Sequence, residues 1–150
     1  MKFSGKEQFE LDRNFVWDRL HDMEFISKLI PGQTSVISVQ PTSFVCRVRP
    51  GFSFLSGSLT LTFGVIETVP AERTRVRVHG KGIGAGVIVE ALICFAAGST
   101  HTTLEWTGEV VERRGLLKPV SAGLIQGAAK DVIARFWTAF RTALADSADD

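Results

Sequence analysis

The chain contains no tyrosine, two cysteines and three histidines, and its formal net charge is only +1. Each scarcity excludes something. Without tyrosine, one common phenolic acid is missing from any site chemistry. Cys46 and Cys94 lie far apart with no CxxC spacing, so they read as small apolar residues in a reducing compartment and not as a disulfide framework. His21, His79 and His101 fall on a helix end, a polar strand face and a turn. No grouping of His, Cys, Asp and Glu has metal-ligand spacing, so no metal site is expected. Nor is there a Gly-x-Ser-x-Gly elbow or a Cys–His pair. A balanced charge provides no field for gathering nucleic acid or acidic membranes.

Long apolar runs are also missing. The residues Met1 to Glu7 contain no apolar h-region, so no secretory signal is expected. The longest apolar stretch, Ile83 to Ala97, is broken by Glu90 and is too short to span a bilayer as a helix. These features point to a cytoplasmic protein, at most peripheral at the inner face of the membrane. The acidic tail Asp146-Ser147-Ala148-Asp149-Asp150 reads as frayed and carries no lipidation signal.

What is present is period-two alternation. The length suits one domain, residues 1–150, with no internal repeat. Phe3 to Leu11 reads as a first strand. Asp12 is a good N-cap for a short helix through Leu20. A second short helix, Met23 to Leu29, should stop at Ile30-Pro31-Gly32, because the residue before proline avoids helical backbone. Strands follow at Ser35–Gln40, Ser43–Arg49, Leu55–Glu67, Arg73–Lys81, Gly86–Phe95 and Thr102–Val111. In the third, Leu55, Leu59, Leu61, Phe63 and Val65 oppose Ser56, Ser58, Thr60 and Thr62. One apolar and one polar face per strand marks an antiparallel sheet covered on one side.

The cover is expected from Leu116 to Leu144, with Pro119 in the first turn, where proline is tolerated. Ile125, Ala129, Val132, Ile133, Phe136, Phe140 and Leu144 form a broad apolar stripe, with Leu117, Val120, Leu124 and Ala128 beside it. The fold class is therefore α+β. It is a helix-grip layout: a curved antiparallel sheet of six or seven strands around a long C-terminal helix, with two short helices after the first strand.

Several local features have plain structural readings. Gly80, Gly82, Gly84 and Gly86 half-match a dinucleotide fingerprint, but more strand follows instead of a helix. A hairpin with tight bends is expected, its glycines leaving room at a cavity mouth. Glu90 should face outward as a cross-strand partner of Arg77, His79 or Lys81. Ile88, Leu92 and Cys94 should share that outer face.

An ordered set of segments carries a family resemblance. The order of Val16-Trp17, Leu20, Asp22 and Ile30-Pro31-Gly32 is similar to the opening of the CoxG-type proteins, the G subunits of carbon monoxide dehydrogenase, in the SRPBCC/START-like superfamily. Val48-Arg49-Pro50-Gly51, Ser56-Gly57-Ser58-Leu59-Thr60-Leu61, the Gly80–Gly86 run, and Leu124–Lys130 followed by Phe136 continue it. The chain departs from that pattern in a more charged Val111–Gly115 link. It also departs in ending soon after the long helix, which argues against direct membrane attachment. The resemblance implies a non-catalytic accessory role beside a CO dehydrogenase-like molybdenum hydroxylase, in recruitment or electron-acceptor delivery. It implies no covalent cofactor, and a quinone or other lipid-like molecule bound in the internal cavity.

The cavity is expected to use Phe25, Leu29, Phe52 and Phe54 at its rim, with Leu124 and Ala128 on the helix. Leu59, Leu61, Val78, Ala91, Ile93, Trp106 and Val132 complete the apolar wall. Gly123, Gly127, Ala128 and Ala129 should leave volume for a ligand. Three alternatives stand beside this. One is an enzyme like the superfamily's polyketide cyclases, for which Glu7 is the one inward-facing ionisable candidate. Another is a lipid-binding protein unrelated to CO oxidation. The third is a scaffold whose core is filled.

Overall fold

A computed structural model describes residues 1–97 and 101–148. β1 (Lys2–Phe9) leads into α1 (Arg13–Leu20) and α2 (Met23–Ser27). Six strands follow: β2 (Gln33–Gln40), β3 (Ser43–Val48), β4 (Leu59–Val69), β5 (Arg73–Gly82), β6 (Ala85–Ala97) and β7 (Thr102–Gly115). The long helix α3 (Ala122–Ala148) comes last. The strands form one antiparallel sheet in the order β1-β7-β6-β5-β4-β3-β2. From β2 to β7 each strand lies beside its predecessor, and β1 returns against β7.

Local chemistry explains the short helices. The Asp12 carboxylate accepts from the Asn14 and Phe15 amides at 3.0 and 3.3 Å, satisfying donors that the first helical turn leaves free. Asp22 does the same for Phe25 at 3.1 Å. α2 ends at Ser27, two residues before the expected Leu29. The Ser27 hydroxyl turns back to donate to the Glu24 carbonyl at 2.9 Å. Gly32 then takes φ +74°, and its carbonyl accepts from the Arg49 amide at 2.8 Å. A positive φ there suits glycine.

Several other boundaries differ from expectation. β4 starts at Leu59, not Leu55: a bridge pairs Phe52 with Leu55 and Gly57 takes φ +100°, so this segment curls instead of extending. β1 stops at Phe9, whereas β7 runs on to Gly115 beyond a bulge opposite Ile88 and Val89. α3 begins at Ala122, so Pro119 precedes the helix. Residues 116–121 make successive tight turns, with Lys118 N donating to Gly115 O at 3.0 Å and Val120 N to Leu117 O at 3.3 Å. The Ser121 hydroxyl then accepts from the Leu124 amide at 3.3 Å and starts the helix. At its far end α3 continues through Asp146 and Ser147, where fraying was expected; Asp149 and Asp150 lie outside the described residues.

The core is densest at one end of the sheet. Phe140 of α3 is fully buried, with Phe9, Phe25 and Trp137 ring centroids 5.8, 6.2 and 5.7 Å away. Val16, Leu20, Met23 and Ile26 of the short helices are buried as well. Each such side chain contributes roughly 1.5–3 kcal/mol. Packing at this end holds the C-terminal half of α3 down on β1, while the N-terminal half passes over the sheet with a hollow beneath it.

Candidate ligand cavity

The hollow has a volume of about 240 Å³. Strand alternation supplies its floor: Leu59, Leu61, Phe63 and Val65 of β4, Thr74, Val76, Val78 and Gly80 of β5, and Val87, Val89, Ala91 and Ile93 of β6. Trp106 and Val110 of β7 extend it. The roof is the helical stripe Ile125, Ala128, Ala129, Val132, Ile133, Phe136 and Trp137. Leu20, His21 and Ile26 close the base. The other end is bounded by the Pro50–Leu55 segment, where Phe52 and Phe54 stack at 5.3 Å, and by Leu117.

Of the expected wall, Phe52, Phe54, Leu59, Leu61, Val78, Ala91, Ile93, Trp106, Ala128 and Val132 line the hollow. Phe25, Leu29 and Leu124 do not. Phe25 packs edge-on against Phe140 at 6.2 Å beneath the Arg19 guanidinium, and Leu29 packs against the core. Leu124 is 53% exposed, because Ile125 takes the inward position in the first turn of α3. Gly123 and Gly127 are also exposed, and a Cβ added at either would meet no neighbour within 4 Å, so they add no volume to the cavity. That role falls to Ala128 and Ala129. The glycine run forms the expected hairpin, with Gly82, Ile83 and Gly84 at positive φ and Gly80 in the cavity floor.

Charge is confined to the outside. No Lys, Arg, Asp or Glu occurs among the described lining residues. Glu7 does lie on the inward side of β1, but its carboxylate accepts from Arg141 at 2.9 Å under α3, and Arg141 covers the Phe9 ring at 4.5 Å. Glu90 faces outward and accepts from Arg77 Nε at 2.9 Å, as its place in the alternation predicts. Among the described residues no three His, Cys, Asp or Glu side chains are grouped to hold a metal ion.

Four side chains with polar atoms interrupt the apolar wall: His21, Thr74, Trp106 and Trp137. Sequence pattern marks none of them for polar contact. Among the described residues, the buried atoms His21 Nε2, Thr74 Oγ1, Trp106 Nε1 and Trp137 Nε1 have no hydrogen-bond partner. His21 Nδ1 lies 2.8 Å from the Trp17 carbonyl, which can only accept, so the neutral ring carries its proton on Nδ1. Burial lowers the His21 pKa below its ordinary value, and the Trp17 carbonyl and Asp18 offset part of that. Strand alternation from Val76 and Val78 places Thr74 inward; nothing in the sequence marks His21.

Comparison with known proteins places this architecture. A conserved protein from Geobacillus kaustophilus is 22% identical with TM-score 0.86, over 98% of this chain and 97% of that one. A START superfamily protein from Mycobacterium smegmatis is 12% identical with TM-score 0.69, over 94% of each chain. DynU16, from the dynemicin biosynthetic locus, is 16% identical with TM-score 0.58, over 95% of this chain and 46% of that one. At these identities the likeness establishes the START-like helix-grip fold alone. No curated protein matches the chain. The family of the carbon monoxide dehydrogenase G subunit (CoxG) matches residues 5–145, nearly the whole length, and the chain belongs to that family.

Proposed function

We propose that the cavity holds a charge-neutral, lipid-like molecule of the quinone class. In this reading the chain is a cytoplasmic, non-catalytic accessory protein. It serves a molybdenum-containing CO dehydrogenase-like enzyme, in its recruitment or in delivery of its electron acceptor. The observation that carries the ligand class is the absence of charged side chains from the described lining. A fatty-acid carboxylate or a phospholipid headgroup would be buried without a counter-charge, at a cost of several kcal/mol. A neutral ring meets no such penalty. The service to an enzyme rests on family membership.

Size supports the same reading. A cavity of about 150 Å³ accepts benzene, so one of about 240 Å³ takes a substituted ring and leaves a long tail outside. The tail would leave past Phe52 and Phe54. Ile83, Leu116 and Leu124 stand 42, 60 and 53% exposed, and Ile83 and Leu116 border that end through Gly57 and Gly84. With Lys81 and Lys118 exposed nearby in sequence, these tips suit peripheral contact with a lipid surface. No helix of the described residues is long and apolar enough to cross a membrane.

Solvent extraction of the purified full chain, followed by mass spectrometry, is expected to release a neutral lipid. Ala128→Trp, which fills the hollow from its roof, should lose that lipid while keeping its unfolding midpoint near the parent value. A charged lipid, or an unchanged yield from the variant, would overturn the assignment. The accessory role predicts that a molybdenum hydroxylase co-purifies with the chain from its native host; a host lacking such an enzyme would remove that part.

A further inference from the structure

The outer face of the sheet, turned away from α3 and the cavity, carries its charge in columns. β5 is basic there: Arg73, Arg75 and Arg77 alternate outward, opposed to Val76 of the cavity floor. β7 is acidic, with Glu105 and Glu109 outward on either side of Thr107 and the buried Leu104 and Trp106 turned the other way. Between these two strands β6 presents Leu92 and Cys94. Glu90 also lies on that face of β6, but Arg77 Nε of its own chain donates to it at 2.9 Å. Beyond β7, β1 exposes Lys2 and Lys6. Beyond β5, β4 exposes Glu67. From β4 to β1 the signs therefore run negative, positive, apolar, negative, positive. They are reversed in mirror order about β6.

Strand register aligns these columns into rows. One row holds Arg73, Cys94, Glu105 and Lys6. Another holds Arg77, Glu90, Glu109 and Lys2. The row between them has Glu67, Arg75, Leu92 and Thr107. Arg75–Glu67 and Lys6–Glu105, at 3.8 and 3.3 Å, are exposed ion pairs, which contribute little to a fold. Arg73 and Glu109 have no ion-pair partner among the described residues.

We infer that this face is the contact surface for a second copy of the chain, in a dimer whose two-fold axis runs along β6. Such an axis sets β5 of each copy over β7 of the other, and β4 over β1, so each charged column meets the opposite sign. Arg73 of one copy faces Glu105 of the other, and Arg77 faces Glu109. β6 lies on its own copy, with Leu92 and Cys94 at the centre. A two-fold axis across the strands would set β5 on β5, cation on cation. A uniformly acidic partner would meet Glu105 and Glu109 with like charge. The sign pattern selects the first arrangement. The sheet curves around α3, so its outer face is convex: short side chains stand at the crest on β6, and the longer charged ones reach across the gap on either side. Five strands at the usual spacing offer on the order of 500 Å² per copy, the low end for a specific contact, so the dimer is weak and reversible. Because the face lies on the other side of the sheet from the cavity, this dimer is independent of what the cavity holds.

Sedimentation of the full chain over roughly 5–500 μM should show a monomer–dimer equilibrium with a dissociation constant on the order of tens of micromolar. Added salt should weaken it. Arg73→Glu and Glu105→Lys should each weaken it roughly tenfold, because the two-fold axis repeats the reversed contact and repulsion replaces attraction. Both residues are exposed, so unfolding midpoints should stay near the parent value. An equimolar mixture of the two variants should dimerise about as well as the parent, since each copy then meets the sign it needs. A bismaleimide matched to the roughly 10 Å between packed sheets should join Cys94 to Cys94 in the parent and in the mixture, and several-fold less in either variant alone. Cys94→Ser should remove the cross-link and keep the dimer. A chain that stays monomeric over the whole range, a dimer indifferent to both reversals, or variants that fail to recover on mixing would overturn the proposal.

Discussion

The indole of Trp106 occupies the space that a side chain on Gly5 would need: a Cβ there would lie 2.7 Å from Trp106 Cε2. The two residues face each other across β1 and β7. The neighbouring pair repeats the arrangement in reverse, with Phe3 lying over Gly108. The two rings meet edge to face at 6.2 Å. This interlock joins the first strand to the last and so completes the sheet beneath α3. Gly5→Ala and Gly108→Ala force the rings aside and are expected to destabilise by about 1–3 kcal/mol each. Denaturant midpoints measure this; unchanged midpoints would show that the rings yield freely.

The glycines of α3 should respond in the opposite way. Gly127 is exposed, has helical backbone on both sides, and meets nothing within 4 Å of an added Cβ. Gly127→Ala should therefore stabilise by about 0.5–1 kcal/mol, through the lower entropy of the unfolded chain. Ligand affinity should not move, since Gly127 is outside the lining. A loss of affinity would mean that α3 shifts on binding.

Stability should depend on pH through His21. Its folded-state pKa is lowered from 6.5, chiefly by burial. The unfolded chain therefore takes up this proton at higher pH than the folded one. The contribution of neutral His21 is complete above the unfolded value and is lost as pH falls through the folded one. Unfolding midpoints should decline as pH drops below about 6.5, and His21→Phe should flatten that part of the profile. An identical decline in the variant would assign it to other groups.

The two cysteines should be separable by a thiol reagent. Cys46 is fully buried, and burial pushes its thiol up to about 11, so it presents almost no thiolate at neutral pH. Cys94 is exposed on the outer face of β6. A disulfide reagent at neutral pH should label Cys94 alone in the folded chain and both cysteines in denaturant. Rapid labelling of Cys46 without denaturant would show that the sheet opens locally near β3.

Most of the cavity floor is legible in the amino-acid order, because the side-chain period of a strand is two and one anchored apolar residue orients its whole strand. Val78, Ala91, Ile93 and Trp106 follow from that rule, as does the outward Glu90–Arg77 pair. The roof is less legible. At about 100° per residue, Leu124 falls only a little beyond the edge of the stripe marked by Ala128. A helical pattern alone does not say where burial stops. Phe25 and Leu29 fail for other reasons: a five-residue helix with several apolar positions can turn more than one of them toward the core, and that helix ends at Ser27, so helical spacing does not place Leu29.

The sequence by itself determined the order of elements, the Asp12 cap and the inward faces of the strands, since these depend on local spacing and residue type; the family follows from likeness along nearly the whole chain. Tertiary structure alone decided that a hollow survives and which helical residues roof it. Both depend on how far α3 stands from the sheet, which is set by the aromatic packing of Phe9, Trp137 and Phe140 at one end. That packing joins residues distant in sequence, and only in the folded chain do residues as far apart as Leu20, Thr74 and Trp137 line one cavity.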